Sequence, residues 1–119
     1  MDDGIRHALE TERVIDITTT GRKSGEPHRI ETWFHNLDGR LYLTGSPGPR
    51  GWYANLRANP RLVFHLKQSV RADLPGTARP ILDESEKRDV LSRILARLDR
   101  GDRVDEWVAR SPLVEVELD

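Results

Sequence analysis

Apolar and polar positions along this chain alternate mostly with a period of two, and only a few stretches show the wider spacing of a helix. His28–Asn36 is the clearest alternating run. Ile30, Thr32 and Phe34 fall on one side, and Arg29, Glu31, Trp33 and His35 on the other, as in a strand with one buried face. Val14–Thr20 (VIDITTT) is β-branched at six of seven positions, which suits a pleated surface. Asp38-Gly39 is a hairpin signal, so Arg40–Ser46 (RLYLTGS) returns as the next strand. Leu62–Gln68 (LVFHLKQ) reads as a strand, Val70–Leu74 and Thr77–Leu82 as a second hairpin around Pro75-Gly76, and Leu113–Leu118 (LVEVEL) as the last strand.

Helical spacing appears in four places. Residues 2–12 carry Ile5 and Leu9 four apart, with Asp2 or Asp3 as N-cap. Trp52–Asn59 (WYANLRAN) reads as a short helix stopped by Asn59-Pro60. Asp83-Glu-Ser-Glu86 has the form of a capping box with Asp in place of Ser or Thr. It opens a helix with an apolar stripe of Val90, Leu91, Ile94, Leu95 and Leu98, ended by Asp99 and Gly101. Val104–Arg110 predicts a second short helix. Strands come in runs joined by hairpin turns, so the expected fold is α+β, mainly β: about six mostly antiparallel strands, closed or nearly closed, with a few flanking helices.

Length and composition narrow this picture. The 119 residues suit a single domain spanning 1–119. A net charge of -1 argues against a nucleic-acid partner, because phosphate binding needs a basic excess. With no cysteine there is no disulfide, thiolate metal site or cysteine nucleophile. The apolar runs are too short for a transmembrane segment, and the N-terminus (MDDGIRHALE) is too acidic for a signal peptide. The expected location is cytoplasmic.

Two segments could carry chemistry. In Gly21-Arg22-Lys23-Ser24-Gly25, two glycines permit a tight turn while two cations and a hydroxyl suit a phosphate or carboxylate tail. The spacing is not that of a P-loop, and composition alone reads it more readily as a charged hairpin tip. Ser46–Asn55 (SPGPRGWYAN) joins a strand to a helix through a Gly/Pro-rich loop that can wrap a ligand, with the helix N-terminus favouring an anion. Trp52 serves such a site or pins the helix to the sheet, and Leu56 reads as core. His28, His35 and His65 sit on strands without metal-ligand spacing, so no metal is expected; His28 follows the basic turn and can assist it. His65 and Asp16 are expected to face outward, and no hydrolase triad is legible.

Taken together, Thr18-Thr-Thr-Gly-Arg-Lys-Ser-Gly-Glu-Pro27 and Trp52-Tyr-Ala-Asn-Leu-Arg-Ala-Asn-Pro60, joined by a hairpin and a Gly-rich loop, resemble the deazaflavin-dependent nitroreductase family over roughly residues 14–68. The resemblance implies a split β-barrel, akin to the FMN-binding, pyridoxamine-phosphate-oxidase-like proteins. It also implies coenzyme F-420, a deazaflavin with a phosphate and an oligoglutamate tail. Arg22, Lys23 and Ser24, with His28, would hold the tail or phosphate. Ser46, the 47–51 loop, Trp52 and Tyr53 would lie along the ring, and Asn55 would fix the loop. Pro47 stands where the family often has Lys, so Arg50 would substitute. The only tyrosines are Tyr42 and Tyr53, so no C-terminal tyrosine proton donor carries over and no catalytic residue is assigned. The implied activity is reduction of an unsaturated, quinone or nitro-type small molecule, the electron acceptor. The alternatives are a non-catalytic deazaflavin carrier and an FMN-dependent oxidoreductase on the same barrel. A homodimer is possible through Trp33 and Trp107 if these are not core.

Overall fold

The computed structural model describes every residue from Met1 to Asp119. The strands are β1 (Val14–Thr20), β2 (Pro27–Leu37), β3 (Arg40–Thr44), β4 (Arg61–Leu66), β5 (Ala72–Pro80) and β6 (Leu113–Leu118). The helices are α1 (Asp3–Thr11), α2 (Gly51–Ala58), α3 (Glu84–Arg97) and α4 (Val104–Arg110), with a 3-10 turn at Gly101–Arg103. All strand pairs are antiparallel, and they close into one barrel in the order β1-β2-β3-β6-β5-β4.

Side-chain alternation divides the apolar residues between two cores. Ile15 and Ile17 of β1, Leu41 and Leu43 of β3, Leu62, Phe64 and Leu66 of β4, and Val114 and Val116 of β6 form the inner cluster. At its centre Phe34 and Phe64 meet edge to face, their ring centroids 5.1 Å apart. α1 adds Ala8 and Leu9 to this cluster, and α2 adds Trp52 and Leu56. The opposite parity gives the second core: Leu37, Tyr42 and Leu113 pack against Val90, Leu91, Ile94 and Leu95 of α3 and Trp107 and Val108 of α4. Trp107 is therefore buried, and the expected dimer patch reduces to Trp33.

Local signals set the helix ends. Asp2 caps α1, accepting from Ile5 N at 3.0 Å, and Asp83 caps α3, accepting from Glu86 N at 2.8 Å. The capping box is only half made, because Glu86 pairs with Arg79 at 2.6 Å. α3 ends in a Schellman turn: Asp99 sits at φ 58, Arg100 N donates to Leu95 O and Asp99 N to Ala96 O.

One expectation fails. Pro75-Gly76 does not turn a hairpin but lies inside β5, paired with Val63 and Leu62 of β4. Pro75 O accepts from Asp119 N at 2.9 Å, just past the end of β6. The missing proline N–H faces the same side, at the last rung of the β5–β6 ladder, so the proline forfeits at most one terminal bond. Gly76 allows close approach of β6, since a Cβ there would stand 2.8 Å from the Glu117 carbonyl oxygen.

β2 shapes the site. Its eleven residues pair with β1 over Pro27–Trp33, but with β3 only over Phe34–Leu37. On one side of the barrel β2 and the chain following β3 therefore diverge into a fork. This is the split in the expected split barrel.

The Gly76→Ala substitution is expected to destabilise the domain by about 1–3 kcal/mol, the usual range for overpacking. Gly51→Ala, at a helix start with open space around its Cβ, should be neutral or stabilising. Urea unfolding of both variants checks this; equal midpoints would contradict the close approach at Gly76.

Candidate functional site

The turn between β1 and β2 is built by its glycines for two different reasons. Gly25 has φ 71, a left-handed conformation that strains other residues. Gly21 is buried, and a Cβ there would lie 2.5 Å from Ser24 Oγ and 2.6 Å from His28 Nε2. Gly25 N donates to Gly21 O at 2.9 Å, Glu26 N donates to Ser24 Oγ at 3.1 Å, and Ser24 Oγ lies 3.3 Å from His28 Nε2. Arg22 and Lys23 project from this frame, exposed and without an ion-pair partner.

Asn55 latches α2 to this turn. Its side-chain amide, only 8% exposed, accepts from Arg22 N at 3.1 Å and donates to Thr19 Oγ1 at 3.2 Å. Truncating it would leave two polar groups near the core without partners, each costing about 1–3 kcal/mol. The two motifs separated in sequence thus meet in space. Trp52, one turn earlier, is buried in the inner core, with Tyr53 edge-on at 6.1 Å and the Arg57 guanidinium 5.8 Å from the Tyr53 centroid.

The loop between β3 and α2 is held from within. Arg50 donates through Nη2 to Ser46 O at 2.8 Å, and through Nη1 to Gly48 O at 3.2 Å and Pro49 O at 3.1 Å. Its guanidinium thus gathers the loop carbonyls. No side chain caps α2, so the first amides of this helix lack side-chain partners beside the loop. Ser46 is exposed at the rim.

Where β2 and β3 part, a cleft of about 660 Å³ opens. Thr32, Trp33 and His35 of β2, Gly45 and Ser46 beyond β3, and Trp107 of α4 line it. Trp33 is 49% exposed, so one indole stands open on the wall. His35 is pushed down to about 4, first by burial and then by the charges of Arg13 and Arg97. At neutral pH it is an uncharged imidazole and not an acid.

The structure therefore brings Arg22, Lys23, Ser24, His28 and Asn55 into one cluster, and Ser46 and Arg50 into the loop. Trp52 and Tyr53 join the two from α2. Sequence reasoning missed that His35 and Trp107 share a cleft with Ser46. The only signal was the common face of Trp33 and His35, since closure against α4 depends on packing between distant segments.

His65 has the expected direction but not open surroundings. It points outward from the barrel, as its parity requires, yet is only 7% exposed. Its Nε2 lies 2.7 Å from Thr18 Oγ1 and its Nδ1 2.6 Å from Asp73 Oδ1, which holds the Asp73 carboxyl below its usual range. The line joins β1, β4 and β5 and lines neither the fork cleft nor the larger groove beneath α1. It braces the barrel. Asp16, half-buried beside it, pairs with Lys67 at 2.6 Å and Arg29 at 3.0 Å.

The His35 shift carries a sign for stability. Its folded value lies below the ordinary 6.5, so between about 6.5 and about 4 the unfolded chain binds a proton that the folded chain refuses. The stability it carries is complete above that window and is lost as pH falls through it. His35→Gln should therefore lose less stability than the parent between about pH 7 and about pH 4.5. Urea midpoints at the two pH values test this, and an equal loss would contradict it.

The sequence model of the F420H(2)-dependent quinone reductase family matches residues 2–117 of the chain. Among solved structures, a conserved hypothetical protein of Mycobacterium tuberculosis is 20% identical, with TM-score 0.75, covering 99% of this chain and 81% of that one. A Listeria innocua protein assigned provisionally to the pyridoxamine 5′-phosphate oxidases is 21% identical, with TM-score 0.71, covering 98% and 92%. A structure described as an F420-H2 dependent reductase (FDR-A) is 23% identical, with TM-score 0.62, covering 89% and 95%. At these identities the solved structures establish the shared barrel.

Proposed function

The chain belongs to the F420H(2)-dependent quinone reductase family, and from that premise we propose how its own residues hold the coenzyme and present it to an acceptor. It is a reductase that uses reduced F-420. When bound, the deazaflavin supplies a hydride from C5; its oxidation releases a proton as well, and together these convert a quinone to a hydroquinone. The protein's part is to bind, orient and shield.

The observation that carries the assignment is the exposed, unpaired cation pair Arg22 and Lys23 on a turn where Gly21 lets the Ser24 hydroxyl and the His28 ring close in on the backbone. Such a cradle fits a multiply anionic tail, and Ser24 and His28 add polar groups at its edge. The α2 amides and the loop backbone support placing the ring beside Ser46, against a wall backed by Trp52 and Tyr53. Trp52 and Asn55 act from inside the protein and are positioning residues. Arg50 is another, because its donors are committed to the loop carbonyls. His35 is neutral at pH 7 and suits a hydrogen-bonding role toward ring or acceptor.

Two further readings concern context. The absence of cysteine supports a reducing compartment such as the cytoplasm, and no helix is long and apolar enough to cross a membrane. Exposed Trp33 on β2 supports a homodimer as a secondary reading.

Titration with oxidised F-420, followed by fluorescence, tests the cofactor cradle. Arg22→Ala and Lys23→Ala should each weaken binding about tenfold, with the loss shrinking as salt is raised. Unchanged affinity in both variants would move the tail elsewhere.

A further inference from the structure

Three arginines converge on the fork cleft from outside the barrel strands. Arg13 comes from the junction of α1 and β1, Arg97 from the last turn of α3, and Arg100 from just beyond it. Asp99 is the only acid on the lining, so its charge is three cations against one anion. None of the three forms an ion pair, although the chain has 20 acidic residues for 19 basic ones. Elsewhere Arg29, Arg79, Arg88 and Arg93 each hold a carboxylate.

Two of these cations are fixed by the fold. Arg97 donates to Asn36 O at 2.5 Å, and the Schellman turn sets where Arg100 leaves α3. His35, held low first by burial, is lowered further by the charges of Arg13 and Arg97. One wall is the open indole of Trp33, 49% exposed and backed by the buried Trp107, which suits a flat unsaturated ring. A planar fork of donors beside an aromatic wall recognises a carboxylate attached to a ring.

Building on the reductase reading, we propose that the fork cleft is the acceptor site and that it selects an anionic acceptor, a flat quinone-like ring bearing a carboxylate, over a neutral lipophilic one. The cleft volume lies within the range of small-molecule sites, about 300–1,000 Å³. The coenzyme's tail is also carboxylate-rich, but the separate cation pair Arg22 and Lys23 on the β1–β2 turn is proposed to meet it. Arg13, Arg97 and Arg100 are then available to the acceptor.

The test uses a 1,4-naphthoquinone carrying a propionate arm and the methyl ester of the same compound, so that ring and potential stay matched. Binding to the full chain without coenzyme is read by quenching of tryptophan fluorescence. The acid should bind about tenfold tighter than the ester, and the preference should shrink as ionic strength rises. In the double variant Arg13→Gln/Arg100→Gln, both sites being exposed and outside the cores, the acid-to-ester ratio should fall toward one. Equal binding of acid and ester by the parent chain overturns the proposal, as does a preference that survives the double substitution. Loss of F-420 affinity in that variant, with the acid preference unchanged, also overturns it and gives the cleft to the coenzyme's tail. Failure of the reductase reading shows differently: F-420 would not bind at all while the acid preference persists.

Discussion

Everything at the site follows from one mismatch of strand lengths. β2 runs for eleven residues and must share its hydrogen bonds between β1 along one half and the five-residue β3 along the other. The barrel closes through both pairings, yet from Pro27 to Trp33 the edge of β2 facing away from β1 has no strand partner. A barrel interior filled by Phe34, Phe64 and branched aliphatic side chains leaves no room for a ligand. The fork provides a recess without opening the core. Thr32, Trp33 and His35 of β2 line one side, residues 97–100 and Trp107 another, and Ser46 stands at the rim.

That recess has shape because polar contacts, buried at Asn55 and nearer the surface at Arg50, hold the helix and loop at its rim. Asn55 joins α2 to Thr19 and to the Arg22 amide, and Arg50 draws the loop carbonyls inward. Inside a protein such bonds are costly to leave unmade, which gives them directing power out of proportion to their net stabilisation. The rigid side of the cleft comes instead from apolar packing. α3 and α4 form a second core against the outer barrel face, and Trp107 carries that core to the cleft edge. The β1–β2 turn and the cleft wall thus rest on different forces.

Much of this was legible in the sequence. The alternation of His28–Asn36, the Asp38-Gly39 turn and the stripe from Val90 to Leu98 give β2, its hairpin and α3 directly, because each is a local pattern. The turn at Gly21–Gly25 and the segment Trp52–Asn59 also stood out, and the resemblance they carry leads to the family. Pro75-Gly76 misled, since a turn signal was overridden where β6 happens to end beside the proline. His65 faces outward as its parity indicates, but parity gives direction and not cover: Thr18 and Asp73 close over it from neighbouring strands. The grouping of Arg13, His35, Arg97 and Arg100 had no sequence signal, as it is made by packing α3 and α4 against β2.

The deazaflavin is proposed to lie beside Ser46, on the loop that rims the fork cleft, with its tail on the β1–β2 turn. Amide chemical shifts in a ¹⁵N-labelled sample titrated with oxidised F-420 test it most directly. The account predicts that perturbations concentrate in residues 21–28, 30–33 and 45–55. Shifts confined to the groove beneath α1, around Arg79 and Glu117, would contradict it.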